Sequence, residues 1–310
     1  MTKNKKEVWP VMLTPFTDTG EIDYTGLHAL IEWYETAGVH GLFAVCQSSE
    51  MFFLSLEERI KLATFVKKHA KVPVIASGHI SPDIPSQIDE LRRISDTGID
   101  GLVLVTNRPA TEDESPEIWI DNTEKIINAL DPAMPLGLYE CPYPYRRIMT
   151  DEEVAFCGSS GRFHFMKDTC KDIEVIRRRI SILEGTPLRI YNANSSTLLD
   201  SLHLGATGFS GVMANFHPEL YVKLLDIWED TDHAQALQSL LSITSLIEKQ
   251  CYPVIAKYHL SQIGLPIGIY SRGRSHHDLT PLFKDEVRQL NILTNHYMGN
   301  LGGYKCSTEN

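Results

Sequence analysis

The sequence predicts an α/β fold, a closed (β/α)8 TIM barrel with a C-terminal helical extension, on three observations. Short β-rich apolar runs alternate with stretches of helical period through eight cycles within about 220 residues. Eight unbroken cycles favour closure into a barrel over an open doubly wound sheet. The runs carry few alternating polar residues, as expected of parallel strands covered on both faces. No Gly-x-Gly-x-x-Gly follows the first run, which argues further against a dinucleotide-binding sheet.

The strands are predicted at 8–13, 41–46, 72–77, 101–105, 135–140, 163–167, 188–191 and 208–212. The first helix, 24–36, places Leu27, Leu30, Ile31 and Tyr34 on one face. Ser55-Leu-Glu-Glu58 reads as a capping box opening a helix that runs to His69, because Glu58 reaches back to the cap. Helices over 83–96, 116–130, 150–157, 171–182, 195–204 and 218–228 complete the alternation. Gly38, Gly98 and Gly205 stand where a glycine C-cap would end a helix before the next strand. After Trp228 the strands stop, and 232–250, 252–264 and 281–296 read as helices, followed by a loose tail over 302–310. This divides the chain into a catalytic barrel over 1–230 and a helical extension packed on it over 231–310.

The chain has 310 residues, 43% hydrophobic and 22% charged, which is ordinary for a globular protein and excludes disorder and disulfide scaffolds. Its 29 basic and 40 acidic residues leave a formal charge of −11, which argues against nucleic acid and anionic membrane as partners. Pro10 and Pro15 interrupt the apolar stretch near the N-terminus, so no signal peptide is expected. The uncharged stretch 201–218 holds three glycines and two histidines and does not read as a membrane span. Six scattered cysteines without a CxxC pair suggest reduced thiols and a cytoplasmic location. Cys46, Cys141 and Cys170 fall on three strand-end loops, but without metal-ligand spacing, so no metal site is expected. His276-His277, beside Arg272 and Arg274, reads as a solvated loop or subunit contact.

Catalytic groups of such barrels sit at the C-terminal ends of the strands. Lys167 ends the run Phe-His-Phe-Met-Lys, so its amine would lie at the rim of an apolar interior. Burial lowers a lysine pKa, and a neutral amine attacks a carbonyl to form a Schiff base. The plainer alternative is a rim lysine paired with Asp168 or Glu140. Tyr139 ends the neighbouring strand and offers either a proton shuttle or a buried phenol with one hydrogen bond. Ser48 and Ser49 offer hydroxyls and backbone N–H groups to a carboxylate, or serve only to build a turn.

At these positions the chain resembles a known family. Gly41-Leu-Phe-Ala-Val-Cys-Gln-Ser-Ser-Glu50, followed by Leu54-Ser-Leu-Glu-Glu-Arg59, is similar to a degenerate Gly-Thr-Thr-Gly-Glu signature. Leu138-Tyr139-Glu-Cys-Pro142 resembles a Tyr-Asn-x-Pro motif, Met166-Lys167-Asp168 a Lys-Asp pair, and Gly208-Phe-Ser-Gly-Val-Met-Ala-Asn215 the segment after the eighth strand. These motifs belong, in this order, to the dihydrodipicolinate synthase / N-acetylneuraminate lyase family of class I aldolases. The resemblance runs from about Val8 to Leu290.

The resemblance implies a homo-oligomer, a dimer or a tetramer of tight dimers, that needs neither metal nor organic cofactor. Lys167 would form the Schiff base with pyruvate or another 2-oxo acid, and Tyr139 would relay protons. Ser48 takes the place of the threonine that binds the substrate carboxylate, and Gln47 that of the relay threonine. Ser210 falls on a backbone contact to the same ligand. Both signature glycines are replaced, by Cys46 and Ser49, and the motif asparagine is Glu140, which would add a carboxylate to the site. The family's Pro-Tyr-Tyr, one tyrosine of which reaches the neighbouring subunit's site, falls on Asn107, Arg108 and Pro109. The arginine that holds the synthase's second substrate falls on Pro144, leaving Arg108, Arg146 or Arg147 to replace it.

The function expected on this basis is a Schiff-base aldolase or lyase acting on pyruvate or a pyruvate-derived 2-oxo acid, such as a 2-keto-3-deoxy sugar acid. Dihydrodipicolinate synthase-like condensation and 2-keto-3-deoxy acid dehydration are the alternatives within that chemistry. The altered glycines and the missing tyrosine also admit a barrel that binds a small carboxylate as a sensor without turning it over.

Overall fold

A computed structural model describes residues 5–301. Eight strands form one parallel sheet: β1 Glu7–Val8, β2 Leu42–Phe43, β3 Val74–Ala76, β4 Gly101–Val105, β5 Leu136–Tyr139, β6 Phe163–Asp168, β7 Arg189–Asn192 and β8 Gly208–Phe209. The ladder runs β1-β8-β7-β6-β5-β4-β3-β2, and the two ends meet. Val11 bridges Phe43 in parallel, Phe43 N donates to Pro10 O at 2.9 Å, and Met12 N donates to Phe43 O at 3.0 Å. The sheet is therefore a closed barrel. The first strand is shorter than the sequence suggests because Pro10 has no N–H to give the ladder. Gly208 sits where β8 meets β1, and a Cβ there would lie 1.8 Å from Glu7 O, so only glycine permits the pairing.

Each strand leads into an outer helix: α1 Tyr24–Thr36, α2 Leu56–His69, α3 Ile84–Ser95, α4 Pro116–Ala129, α5 Asp151–Ser159, α6 Ile173–Ile182, α7 Leu198–Leu204 and α8 Pro218–Ile227. The expected capping box closes α2, with Ser55 N donating to Glu58 Oε2 at 2.9 Å and Glu58 N to Ser55 Oγ at 3.2 Å. Thr150 and Glu153 build a second box on α5. Gly38, Gly98 and Gly205 adopt positive φ at the ends of their helices, as the C-cap reading requires. Two helices begin later than their periodicity suggests. Lys171 takes a φ of 64° and Asp172 caps α6 behind it. Asn192 and Asn194 side chains accept the N–H groups of Asn194 and Thr197, turns that hold off α7 until Leu198.

Aromatic rings fill the barrel, with Phe165 stacked on Tyr191 at 4.4 Å and set edge-on to Phe43 at 6.1 Å. Beyond α8 follow α9 Thr231–Thr244, α10 Val254–Gln262 and α11 Pro281–Leu301. The helix expected over 232–250 ends at Thr244 and passes into a 3₁₀ turn over Ser245–Lys249. Gln238 of α9 accepts from Leu199 N at 3.0 Å and donates to Ser195 O at 2.7 Å, while the His259 ring of α10 meets Phe216 O at 2.6 Å. Among the described residues no helix is long and apolar enough to cross a membrane. The tail over 302–310 lies outside the described residues.

Candidate active site

The strand period decides what faces inward. Lys167 on β6 and Tyr139 on β5 are direct register partners, so both side chains enter the same end of the barrel. The next residue on each strand turns the other way, which sends Asp168 and Glu140 outward toward α6. There both meet Arg179, fully buried, whose guanidinium bonds the Asp168 carboxylate and donates to Glu140 Oε1 at 2.6 Å. Glu140 accepts further from Met149 N at 2.9 Å and Thr169 N at 2.8 Å. Burial raises the Glu140 pKa and Arg179 opposes that rise; burial also works against the Arg179 charge, but the two carboxylates outweigh it.

Lys167 therefore has neither of the acidic partners that a plain rim lysine would need. Its Nζ lies 4.6 Å from the centre of the Tyr139 ring and makes no hydrogen bond or ion pair among the described residues. The residue is only 4% exposed. Burial lowers its pKa to about 8, against a partial opposing pull from Cys46, Cys141 and Glu248. Burial also holds the Tyr139 phenol protonated well above its ordinary range.

Lys167 and Tyr139 line a cavity of about 310 Å³, which Gln47, Ser48, Arg146 and Tyr252 also reach. The turn after β2 is held both by its own backbone and by groups from elsewhere in the chain. The Ser49 hydroxyl accepts from Cys46 N at 3.2 Å and lies 2.6 Å from Ala44 O and 2.7 Å from Met12 O. Glu50 takes a φ of 61°, and its carboxylate receives Lys257 Nζ at 2.6 Å, Ser271 Oγ at 2.8 Å, Arg272 N at 2.6 Å and Gly273 N at 2.8 Å. Burial lowers the Lys257 pKa, against which Glu50 acts. The signature carboxylate is thus a buried tie between the turn and the C-terminal helices.

The structure sets several of the expected residues apart from the cavity lining. Ser49 braces its own turn, and the Ser210 hydroxyl donates to Trp9 O at 2.9 Å, which leaves the expected backbone contact of Ser210 untouched. Glu140 adds no carboxylate to the cavity, because strand alternation turns it to Arg179. Arg108 is drawn back to Ile80 O at 3.2 Å and Asn107 O at 3.0 Å. Arg147 is spent on Glu153 at 2.6 Å, so of the three candidate arginines only Arg146 reaches the cavity. Arg272 is not part of a solvated basic loop: it pairs with Glu58 at 2.7 Å and donates to Gly20 O at 2.8 Å, leaving His276 and His277 exposed.

Asn107 acts on the cavity from behind. Its Nδ2 lies 2.9 Å from Cys141 O, 3.0 Å from Tyr143 O and 2.5 Å from Tyr145 O, pinning the segment that brings Pro142, Tyr143 and Arg146 to the cavity wall. Sequence reading missed Tyr252 and Glu248, which reach the cavity from the segment between α9 and α10. Neither stands at a strand end, and no local pattern marks them. Among the described residues no group of three or more His, Cys, Asp or Glu is arranged to hold a metal.

Fold and site together define a (β/α)8 barrel whose C-terminal face encloses an unpaired, buried lysine beside a tyrosine. The model of the dihydrodipicolinate synthetase family matches residues 4–293, and the chain belongs to that family. It is 25% identical over 267 residues to a 4-hydroxy-tetrahydrodipicolinate synthase of Methanothrix thermoacetophila, covering 84% of this chain and 88% of that one. It is 27% identical over 252 residues to the putative 2-dehydro-3-deoxy-D-gluconate aldolase YagE of Escherichia coli, covering 77% and 80%. The crystal structure of YagE in complex with pyruvate superposes with a TM-score of 0.81 at 25% identity, over 94% of this chain and 98% of that one. A dihydrodipicolinate synthase of Bacillus anthracis superposes with a TM-score of 0.83 at 21% identity, over 92% and 97%, a likeness of fold.

Proposed function

We propose that the protein is a Schiff-base class I aldolase or lyase that cleaves or forms a C–C bond in a pyruvate-derived 2-oxo acid. A 2-keto-3-deoxy sugar acid is the substrate class we favour. The observation that carries this reading is Lys167: a buried amine in a cavity, free of acid partners, with its pKa lowered to about 8. At that value roughly a tenth of the amine is neutral at pH 7, against a few parts in ten thousand for an ordinary lysine.

In this scheme the neutral amine adds to the C2 carbonyl and gives a carbinolamine. Tyr139, held protonated by burial, gives its proton to the departing hydroxyl, which leaves as water, and the iminium remains. The Tyr139 phenolate then takes the proton of the C4 hydroxyl. The C3–C4 bond breaks, C4 leaves as an aldehyde, and the bonding pair enters C2–C3 as the iminium becomes an enamine. Tyr139 returns the proton to C3. Water then adds to the pyruvate iminium, giving its proton to the phenolate, and the carbinolamine collapses to pyruvate and free amine. Gln47 and Ser48 line the same cavity, which supports a role in receiving the carboxylate. Arg146, which also lines the cavity, supports a role in holding the distal part of the substrate.

Incubation with a panel of 2-keto-3-deoxy sugar acids, with products followed by NMR, tests this reading. Release of pyruvate and an aldehyde is the outcome it expects. Loss of water without cleavage assigns the same iminium to a dehydratase. A Lys167→Ala protein that binds the acid as tightly as wild type, where neither turns it over, would leave a sensor.

A further inference from the structure

Lys171 stands in the loop between β6 and α6 with a φ of 64°, in the left-handed region that residues with a Cβ rarely adopt. Such strain persists only where the surroundings impose it. Here they do so from both sides. Thr169 N donates to Glu140 Oε2 at 2.8 Å and Cys170 N to Asp168 Oδ1 at 3.0 Å, so the two carboxylates bound to Arg179 fix the approach. Asp172 is committed to capping α6, its Oδ1 accepting from Glu174 N at 2.9 Å. The side chain carried through this kink lines the cavity around Lys167 and is exposed, as is that of Arg146. Neither cation makes a hydrogen bond or an ion pair among the described residues. Two carboxylates line the same cavity. Glu50 is satisfied by Lys257 and the N–H groups of Arg272 and Gly273, which leaves Glu248 as the free one. Once an iminium at Lys167 and the 1-carboxylate of the substrate cancel, two cations against one carboxylate leave a single positive charge unmet.

We infer that Lys171 and Arg146 form a subsite for a second carboxylate, so that the 2-oxo acid bound at Lys167 is a diacid, a 2-keto-3-deoxy aldaric acid. The inference rests on the Schiff-base reading and names the far end of that site's substrate. A carboxylate matches one unmet positive charge, whereas a phosphate monoester brings nearly two negative charges. A cavity of about 310 Å³ is of the size that holds small ligands. Breaking C3–C4 by the steps above converts the diacid into pyruvate and a short aldehyde acid, with no further reactant. Glycine would take the backbone of residue 171 without strain but would carry no charge. The left-handed lysine is thus kept for selecting the substrate, against its cost in stability.

Two six-carbon 2-keto-3-deoxy acids that differ only at C6, one ending in CH2OH and one in a carboxylate, supply the test. Borohydride trapping at Lys167 gives the half-saturating concentration of each. Wild type takes the diacid at a concentration at least about fivefold lower. Lys171→Gly removes the charge and the strain together. The preference then falls about fivefold, the upper range for a partly exposed ion pair. Its urea midpoint stays level or rises, because relief of the left-handed strain offsets the freedom that glycine adds to the unfolded chain. Lys171→Arg, which keeps a cation at the same place, keeps most of the preference. Equal half-saturating concentrations in wild type, or a preference unchanged in Lys171→Gly, overturn the inference. A lower urea midpoint in Lys171→Gly overturns it too, by giving the lysine a structural role. Tighter trapping of the corresponding 6-phosphate than of the diacid overturns the assignment to a carboxylate. Wild-type protein that traps no pyruvate defeats the Schiff-base reading and this inference with it. Normal trapping of pyruvate without preference for the diacid defeats the inference alone.

Discussion

Lys167 and Tyr139 are register partners on neighbouring parallel strands, and the lysine nitrogen stands 4.6 Å from the centre of the tyrosine ring. The pairing fixes the amine and the phenol by backbone hydrogen bonds rather than by flexible loops. Immediately behind the pair, Glu140 and Asp168 share Arg179, so the two strand ends are also tied on the outer face.

Tyr139→Phe keeps the ring against Lys167 and removes the proton donor. The turnover rate falls about 100- to 10,000-fold, the usual range for losing a general acid–base group. Slower trapping of pyruvate at saturating concentration checks that the loss lies in iminium formation. An unchanged rate would remove Tyr139 from the mechanism.

The rate of Schiff-base formation rises with pH through a midpoint of about 8, because only the neutral amine attacks. The same shift acts on stability with a definite sign. The folded pKa of Lys167 is below the unfolded value of 10.5, so the unfolded chain binds more protons between the two, and stability rises with pH across that window. At pH 7 Lys167→Met stabilises the protein by on the order of 1–3 kcal/mol, discounted for a cavity open to water, and the advantage fades from pH 8 toward 10.5. Urea denaturation of both proteins at pH 7 and pH 10 measures it.

Arg179→Met leaves two buried carboxylates facing each other without a cation. A loss of about 3–5 kcal/mol follows for breaking a buried charge network by removing one member. The midpoint of urea unfolding should move accordingly. A shift no larger than that of an exposed arginine replaced in parallel, such as Arg177→Met, would show that the pair of acids is held by other groups.

Glu50→Ala removes the acceptor for Lys257 and for the N–H groups of Arg272 and Gly273. The buried Lys257 ammonium then lacks its counter-charge, at a similar cost of about 3–5 kcal/mol. Pyruvate affinity falls as well, because Glu50 anchors the turn that presents Gln47 and Ser48. Glu50→Gln restores part of the binding but not the stability, which separates the geometric role from the charge.

Much of this architecture was legible in the chain because it rests on local rules. Apolar runs ending in Tyr139 and Lys167, the Ser55–Glu58 capping box and the glycines at 38, 98 and 205 each report their own neighbourhood. Glu140 could have been placed from sequence as well. Once Tyr139 faces inward, the period of a strand sends Glu140 outward, and that step outweighs its position within the motif. Ser49 and Arg108 lay beyond such reasoning, since their partners, Met12 O and Ile80 O, come from distant turns. Tyr252 and Glu248 were invisible for the same reason: the C-terminal segment comes to the strand ends only through tertiary packing. Closure of the barrel through Val11 and Phe43 likewise depended on how the chain continues past a proline that cannot donate to the ladder.

The central claim is that the Lys167 amine forms a Schiff base with a 2-oxo acid. Treatment with pyruvate and borohydride, followed by peptide mass spectrometry, tests it most directly. The account predicts a reduced pyruvate adduct on the peptide carrying Lys167, absent from Lys167→Ala. An adduct on another lysine, or none with pyruvate or any member of a 2-oxo acid panel, would contradict it.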